Sequence, residues 1–198
     1  LDGVGIELEW LVVRRATSAL AHHSPNRIDD DSVIPFAEVR DAVCAPGPLP
    51  AGGRITFEPG GQVELSSPPA SSTSDAIAAT ERDATELLSR LAASGLGAVA
   101  LGLDPARPRQ RVLDTPRYAA MAEYFATEGS AGASMMLATA ALQVNIGLGT
   151  GDEPARRWHL AHALGPVLAA AFANSPLSGH RPSGWRSTRG AIWTAIDQ

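Results

Sequence analysis

Polar and apolar residues alternate from Val4 to Val13. Ile6, Leu8 and Trp10 face one way, and Gly5, Glu7, Glu9 and Leu11 face the other. A period of two is that of a strand. A polar stretch follows, with His22-His23 and the acidic run Asp29-Asp30-Asp31. Residues 35–43 predict a short helix starting at Pro35. Residues 54–67 predict two strands joined at Pro59-Gly60-Gly61, with Gln62 and Glu64 on one face and Val63 and Leu65 on the other. Ser74 is placed to cap a helix reaching about Ser94, which Gly95 closes. Residues 96–103 predict a buried strand, and 104–116 a loop rich in proline and arginine. Pro116 opens a helix through Thr127. Residues 135–148 predict a long strand, with Gln143 and Asn145 facing away from Leu142, Val144 and Ile146. Pro154 opens a helix to Asn174, and 175–198 predicts loop with a short apolar stretch around Ile192-Trp193.

The order is strand, loop, two strands, then helices alternating with strands. Hairpins and polar-faced strands point to an α+β domain with a mostly antiparallel sheet and helices on one side. No repeat or linker divides the 198 residues.

Composition narrows the function. Charged residues make up 19% and hydrophobic residues 44%, an ordinary globular balance. The net charge of −5 argues against a nucleic-acid partner. No apolar run reaches the ~18 residues of a membrane span, and no signal peptide is visible. One cysteine, Cys44, excludes an internal disulfide framework and a cysteine-based zinc site. It fits a reducing, cytoplasmic setting. All 16 basic residues are arginine.

The chemistry rests on oxygen donors and guanidinium groups. Glu7 and Glu9 are two apart on one strand, so their carboxylates share a face. Glu58 and Glu64 flank a glycine turn that can bring them together, and Gln143 and Asn145 add neutral oxygens. Hard cations such as Mg²⁺ prefer oxygen ligands, and clustered carboxylates repel one another unless a cation lies between them. A solvated sheet face has the same spacing. Arg107, Arg109, Arg111 and Arg117 crowd one loop and helix start, and Arg181, Arg186 and Arg189 another. Guanidinium forks suit phosphate and carboxylate; a solubilising role fits a lysine-free chain equally well. Arg156 and Arg157 read as surface charges. The His22-His23 pair and His159 with His162 carry weaker metal signals. Cys44 lacks an activating base. Met135-Met136 reads as strand packing. Gly147–Gly151 lacks the lysine and spacing of a phosphate-binding P-loop.

Five blocks in order, VGIELEW, FEPGGQVELSSPP, LGLDPARPRQRVLDTPRY, MMLATAALQVN and GWRSTRGAIW, resemble glutamate–cysteine ligases of the branch shared by plants and many bacteria. The likeness is strongest to the actinobacterial branch serving ergothioneine biosynthesis. It implies a glutamine-synthetase-like catalytic fold, with a curved antiparallel sheet as a cradle and helices behind it. It implies ATP and Mg²⁺ and a ligation in which ATP phosphorylates the γ-carboxylate of glutamate. The amine of cysteine then attacks the acyl phosphate to give γ-glutamylcysteine. Such chemistry needs cations and arginines that neutralise phosphate and align the reactants, rather than a protein nucleophile.

By resemblance, Glu7, Glu9, Glu58 and Glu64 hold metal, with Glu58 acting directly or through water. Gln143 contacts metal or nucleotide, with Asn145 beside it. Arg189 binds substrate carboxylate or phosphate, with Arg186 as a second candidate. Arg117 and Thr139 contact substrate. Relatives usually read Gln-Val-Asn-Leu-Asp where this chain has Asn145-Ile146-Gly147, so one carboxylate is absent. The resemblance also implies that residues 1–198 are the N-terminal part of a single, longer catalytic domain. The later part would supply a strand with a further Glu and Arg, and this chain alone is expected to be inactive. Two other readings share the same residues. One is a glutamate ligase for a different amine. The other is a non-catalytic remnant that binds metal or a partner.

Overall fold

The computed structural model describes residues 3–15, 34–127 and 129–196. The expected polar stretch with His22-His23 and Asp29–Asp31 lies outside them. The framework is a five-stranded antiparallel sheet built around one long strand, β1 (Val4–Arg14). The hairpin of β2 (Arg54–Phe57) and β3 (Val63–Ser66) pairs with its middle, Glu7 to Trp10. β4 (Leu96–Val99) pairs with its far end, Leu11 to Arg14, and β5 (Leu142–Ile146) with Val4 to Leu8. Because β3 and β5 both pair with Glu7 and Leu8, they must lie on opposite edges of β1.

Alternation on β1 then sorts the residues. Leu8, Trp10 and Val12 point into the main core with Val63 and Leu65 of β3. This face is closed by α1 (Phe36–Cys44), through Val39 and Val43, and α2 (Thr73–Ala93), through Leu87 and Leu91. Fully burying such side chains stabilises by roughly 1.5–3 kcal/mol each. Arg90 of α2 is also buried and donates to the carbonyls of Val43, Gly47 and Pro48, satisfying the end of α1. Helix α2 is capped two residues earlier than Ser74 predicts. Ser72 is the cap: its hydroxyl accepts from the Asp75 N–H at 3.1 Å and donates to the Asp75 carboxylate at 2.7 Å. Of the adjacent hydroxyl residues, it alone has an acid three positions on, the arrangement of a capping box. Gly95, at φ +71°, follows the helix end as expected.

The other face of β1 carries Glu7 and Glu9, and then Leu11 and Val13, which are buried. A second cluster centred on Phe125, Met136 and Ile196 joins α3 (Pro116–Thr127), α4 (Ser130–Ala138) and the chain just past α6 (Thr188–Thr194). Two expectations fail here. The long strand over 135–148 is helix α4 followed by the shorter β5. Its apolar run has no polar alternation to fix a period, and Ala, Met and Leu favour helix. Gly132 of α4 lies so close to the Phe125 ring that a methyl there would overlap it. Met135-Met136 is therefore helical packing and not the start of a strand. The loop expected over 175–198 contains a two-residue hairpin, β6 (Leu177–Ser178) with β7 (Arg181–Pro182), and then α6, whose cap Ser187 accepts from the Gly190 N–H at 3.0 Å. The strand expected over 96–103 ends at Val99, and Leu103 forms only a single bridge to Thr139.

Helix α5 (Glu153–Ala171) buries no residue, and every residue of β5 is exposed. Among the described residues, no helix is long and apolar enough to cross a membrane.

Candidate carboxylate site

Register brings the acids together. Glu9 stands opposite Glu64 across the β1–β3 ladder, and Thr56 stands opposite Glu64 across β2–β3. Residues paired this way project from the same face. Glu58 follows β2 and turns back over the same face. Its N–H donates to the Gln62 carbonyl at 3.0 Å, and its carbonyl accepts from the Gly61 N–H at 2.8 Å. The turn needs Gly61, at φ +88°. One oxygen each from Glu9, Glu58 and Glu64 lie within 4.8 Å of one another. Glu7, two residues along β1, faces Ser66 on one side and Gln143 on the other.

Neutral donors orient these carboxylates. The Glu64 carboxylate accepts from the Thr56 hydroxyl at 2.5 Å and from the Ser66 hydroxyl at 3.1 Å. The Glu9 carboxylate accepts from the Ala141 backbone N–H at 2.9 Å and from the Gln143 amide at 3.2 Å. The Asn145 amide donates to Glu7 at 3.1 Å. Gln143 and Asn145 thus lie on the acidic face, as their alternation predicts.

The arginines differ in what they bring. Arg189, on α6, is half-buried; its Nε lacks a hydrogen-bond partner among the described residues, and its guanidinium lies 5.6 Å from the Trp193 ring centre. The Ser175 hydroxyl accepts from its backbone N–H at 3.1 Å and so pins the start of α6. Arg117, at the start of α3, lies 5.6 Å from the ring centre of Tyr118. Arg186 is exposed, and its carbonyl accepts from the Ser175 N–H. Arg107 is tied to Asp104 at 2.6 Å and to the Val12 carbonyl at 2.5 Å, and Arg111 to Asp114 at 3.1 Å. Thr139 is buried, and its hydroxyl donates to the Met135 carbonyl at 2.7 Å. Its own carbonyl accepts from Gln62. Of the weaker candidates, His162 contacts the Trp158 carbonyl, and Cys44 is exposed.

Electrostatics follow from this crowding. Burial first, then the carboxylates of Glu58 and Glu64, push Glu9 up to about 7. The Ala141 N–H and the Arg189 charge oppose that rise. Burial, and then Glu64, also raise Glu58 above the usual carboxylate range, against the pull of Arg117. Burial lowers Arg189, and Glu9 partly restores it. Tyr118 feels the same acids: burial and then Glu58 raise it. Its ring packs against the second apolar cluster. The sequence carries no distinct signal for Tyr118. Thr56 and Ser66 follow from the hairpin register once Glu64 is singled out.

A divalent cation fits this donor set. Three carboxylates with little compensating charge favour a hard cation and oxygen ligands. Octahedral Mg²⁺ at ~2.1 Å sets adjacent ligand oxygens about 3 Å apart and opposite ones about 4.2 Å apart. The three oxygens, within 4.8 Å of one another, would draw together onto such an ion.

The comparisons with known proteins agree with one another. Residues 3–198 match the family model described as glutamate-cysteine ligase family 2 (GCS2). Glutamate–cysteine ligase EgtA of Mycolicibacterium smegmatis is 49% identical over 152 residues, which are 76% of this chain and 36% of that protein. EgtA of Mycobacterium tuberculosis is 51% identical over 152 residues, 76% of this chain and 35% of that protein. The chloroplastic glutamate–cysteine ligase of Arabidopsis thaliana is 33% identical over 146 residues, 73% of this chain and 28% of that protein. The matched part spans about a third of these bacterial relatives. With the family match running from Gly3 to the last residue, the chain belongs to glutamate-cysteine ligase family 2.

Proposed function

We propose that this chain is the N-terminal part of the catalytic domain of an ATP-dependent glutamate–cysteine ligase with a glutamine-synthetase-like fold. It would act in the cytoplasm in ergothioneine or related thiol biosynthesis. The observation that carries this reading is the convergence of Glu9, Glu58 and Glu64, with oxygens within 4.8 Å of one another, in a chain of this family. Glu9, Glu58 and Glu64 would hold Mg²⁺, with Glu7 as a neighbouring ligand. When bound, the cation neutralises phosphate charge as the phosphoryl group moves from ATP to the γ-carboxylate of glutamate.

The chain's own residues supply the rest. Gln143 and Asn145 orient the carboxylates of Glu9 and Glu7 through their amides, and their oxygens remain for nucleotide or metal contact. Arg189 offers a half-buried guanidinium beside Glu9, suited to an anionic oxygen of phosphate or carboxylate. Arg186 lies on the same segment as a second cation. Arg117 brings positive charge toward Glu58, where a substrate carboxylate needs it. Thr139 contributes through its backbone, between Gln62 and β5. The test is a chimera in which this chain replaces the matching part of the M. smegmatis relative. ADP release that requires both glutamate and cysteine, and that is lost on Glu64→Gln, is the expected result. ADP release indifferent to either amino acid overturns the reading.

A further inference from the structure

We propose that Gln62 is a positioning residue for the carboxylate site, fixing the separation of Glu58 from Glu9; this rests on the reading of that site as a cation site. Gln62 is 3% exposed. Its side-chain amide donates to the Thr139 carbonyl at 2.7 Å. Its backbone carbonyl accepts from the Glu58 N–H at 3.0 Å, so Gln62 closes the turn that carries Glu58. On the other side, Thr139 is two residues before Ala141, whose N–H holds the Glu9 carboxylate at 2.9 Å. One amide therefore couples the backbone that delivers Glu58 to the backbone that orients Glu9.

The coupling carries an energetic cost. The Gln62 Oε1 is buried with no hydrogen-bond partner among the described residues. A buried acceptor without a partner opposes folding, whereas the amide of the same side chain satisfies the Thr139 carbonyl. The surroundings leave little slack. Gly60 packs against the Leu137 carbonyl so closely that an added methyl would overlap it and would lie 2.8 Å from Gln62 Oε1. The turn thus packs directly on the last turn of α4, and the Gln62 amide bonds the residue just after that helix, Thr139. Residues that orient metal ligands without touching the metal typically change affinity about 10- to 100-fold when replaced.

The test uses the 198-residue chain and Mn²⁺ as a paramagnetic probe. Bound and unbound Mn²⁺ are measured by electron paramagnetic resonance, beside urea unfolding. Gln62→Met keeps volume and removes the donor. It is expected to weaken Mn²⁺ binding about tenfold or more and to alter the bound spectrum while the chain still unfolds cooperatively. Asp83→Asn, in a buried residue of α2 that bonds only the loop before β2, is the structural control. It is expected to lower stability without changing Mn²⁺ affinity. A folded Gln62→Met variant that binds Mn²⁺ like the parent overturns the proposal. If Gln62→Met does not fold, Gln62→Asn is measured in the same way; failure of both to fold makes the residue structural and also overturns it. A parent chain that takes up no Mn²⁺ overturns the reading of Glu9, Glu58 and Glu64 as a cation site, and this is seen before any variant is made.

Discussion

Glu9 and Glu64 face each other across the β1–β3 ladder, both on the same side of the sheet. Like charges in that position destabilise a sheet. Here Glu58 is added within 4.8 Å, and Glu9 is raised to about 7. The sheet therefore carries an electrostatic load that a bound cation would relieve.

Removing one acid should separate stability from binding. Glu64→Gln is expected to raise the urea midpoint of the cation-free chain, by the equivalent of about 0.5–1 kcal/mol, because it removes a like-charge contact. The same change should weaken Mg²⁺ or Mn²⁺ binding at least tenfold. Calorimetric titration beside urea unfolding checks both. Parent-like cation affinity in a folded variant would remove Glu64 from the site.

The pH dependence has a definite sign. Unfolded, Glu9 titrates near its ordinary value of 4.5; folded, near about 7. Between these values the folded state keeps a proton that the unfolded state has released. Stability therefore falls as pH rises from about 4.5 to about 7, and the loss is complete above that range. Glu58 adds to the effect in the same direction. Unfolding near pH 5 and near pH 8 should show this loss without cation, a smaller loss in Glu9→Gln, and recovery with saturating Mg²⁺. A parent and a Glu9→Gln variant with the same pH profile would contradict it.

Asp83 makes a separate structural prediction. Fully buried on α2, it accepts from the N–H groups of Ala51 at 2.6 Å and Gly53 at 2.7 Å. Asp83→Ala leaves both donors unpaired and should cost about 2–4 kcal/mol. Gly53→Ala should also destabilise, since its methyl would strike the Asp83 carboxylate. Chemical unfolding checks both, and a cost below about 1 kcal/mol for Asp83→Ala would count against this clamp.

The exposed side of β5 and α5 predicts self-association. Leu142, Val144 and Ile146 are exposed on the strand, and Trp158, Val167 and Phe172 on and just after the helix. An apolar sheet edge of this kind invites pairing. Sedimentation should show concentration-dependent association that Val144→Lys reduces. Monomeric behaviour of the parent at high concentration would refute it.

Taken alone, the chain is expected to release no ADP that depends on both glutamate and cysteine. In the proposed ligation, charge neutralisation and alignment act together, and the N-terminal part of a catalytic domain loses activity out of proportion to the part removed. Such release from the purified chain would show that these residues hold a complete site.

The sheet was readable from the sequence where polar and apolar residues alternate. Glu7 and Glu9 fall on one face of β1 for that reason, and Pro59-Gly60-Gly61 marks the hairpin that brings Glu58 to Glu64. Residues 130–138 were not readable. An unbroken run of small and apolar residues carries no period, and the helix it forms is packed through Gly132 against Phe125. Helix α6 is short, and its start depends on Ser175, a contact from outside the segment. The roles of Gln143 and Asn145 toward Glu9 and Glu7 needed the β1–β5 register, which local pattern does not supply.

Glu9 lies on β1 and Arg189 on α6, so the opposite charges that meet here come from positions far apart along the chain. The hairpin lies nearer to β1 along the chain, so closing Glu64 onto Glu9 loses less entropy than bringing in α6. During synthesis the carboxylates can therefore gather while the residues that carry Arg189 are still being made. For that interval the cluster lacks the positive charge that partly offsets Glu9, and a metal ion from solution would supply it. Cation uptake would then precede docking of α6.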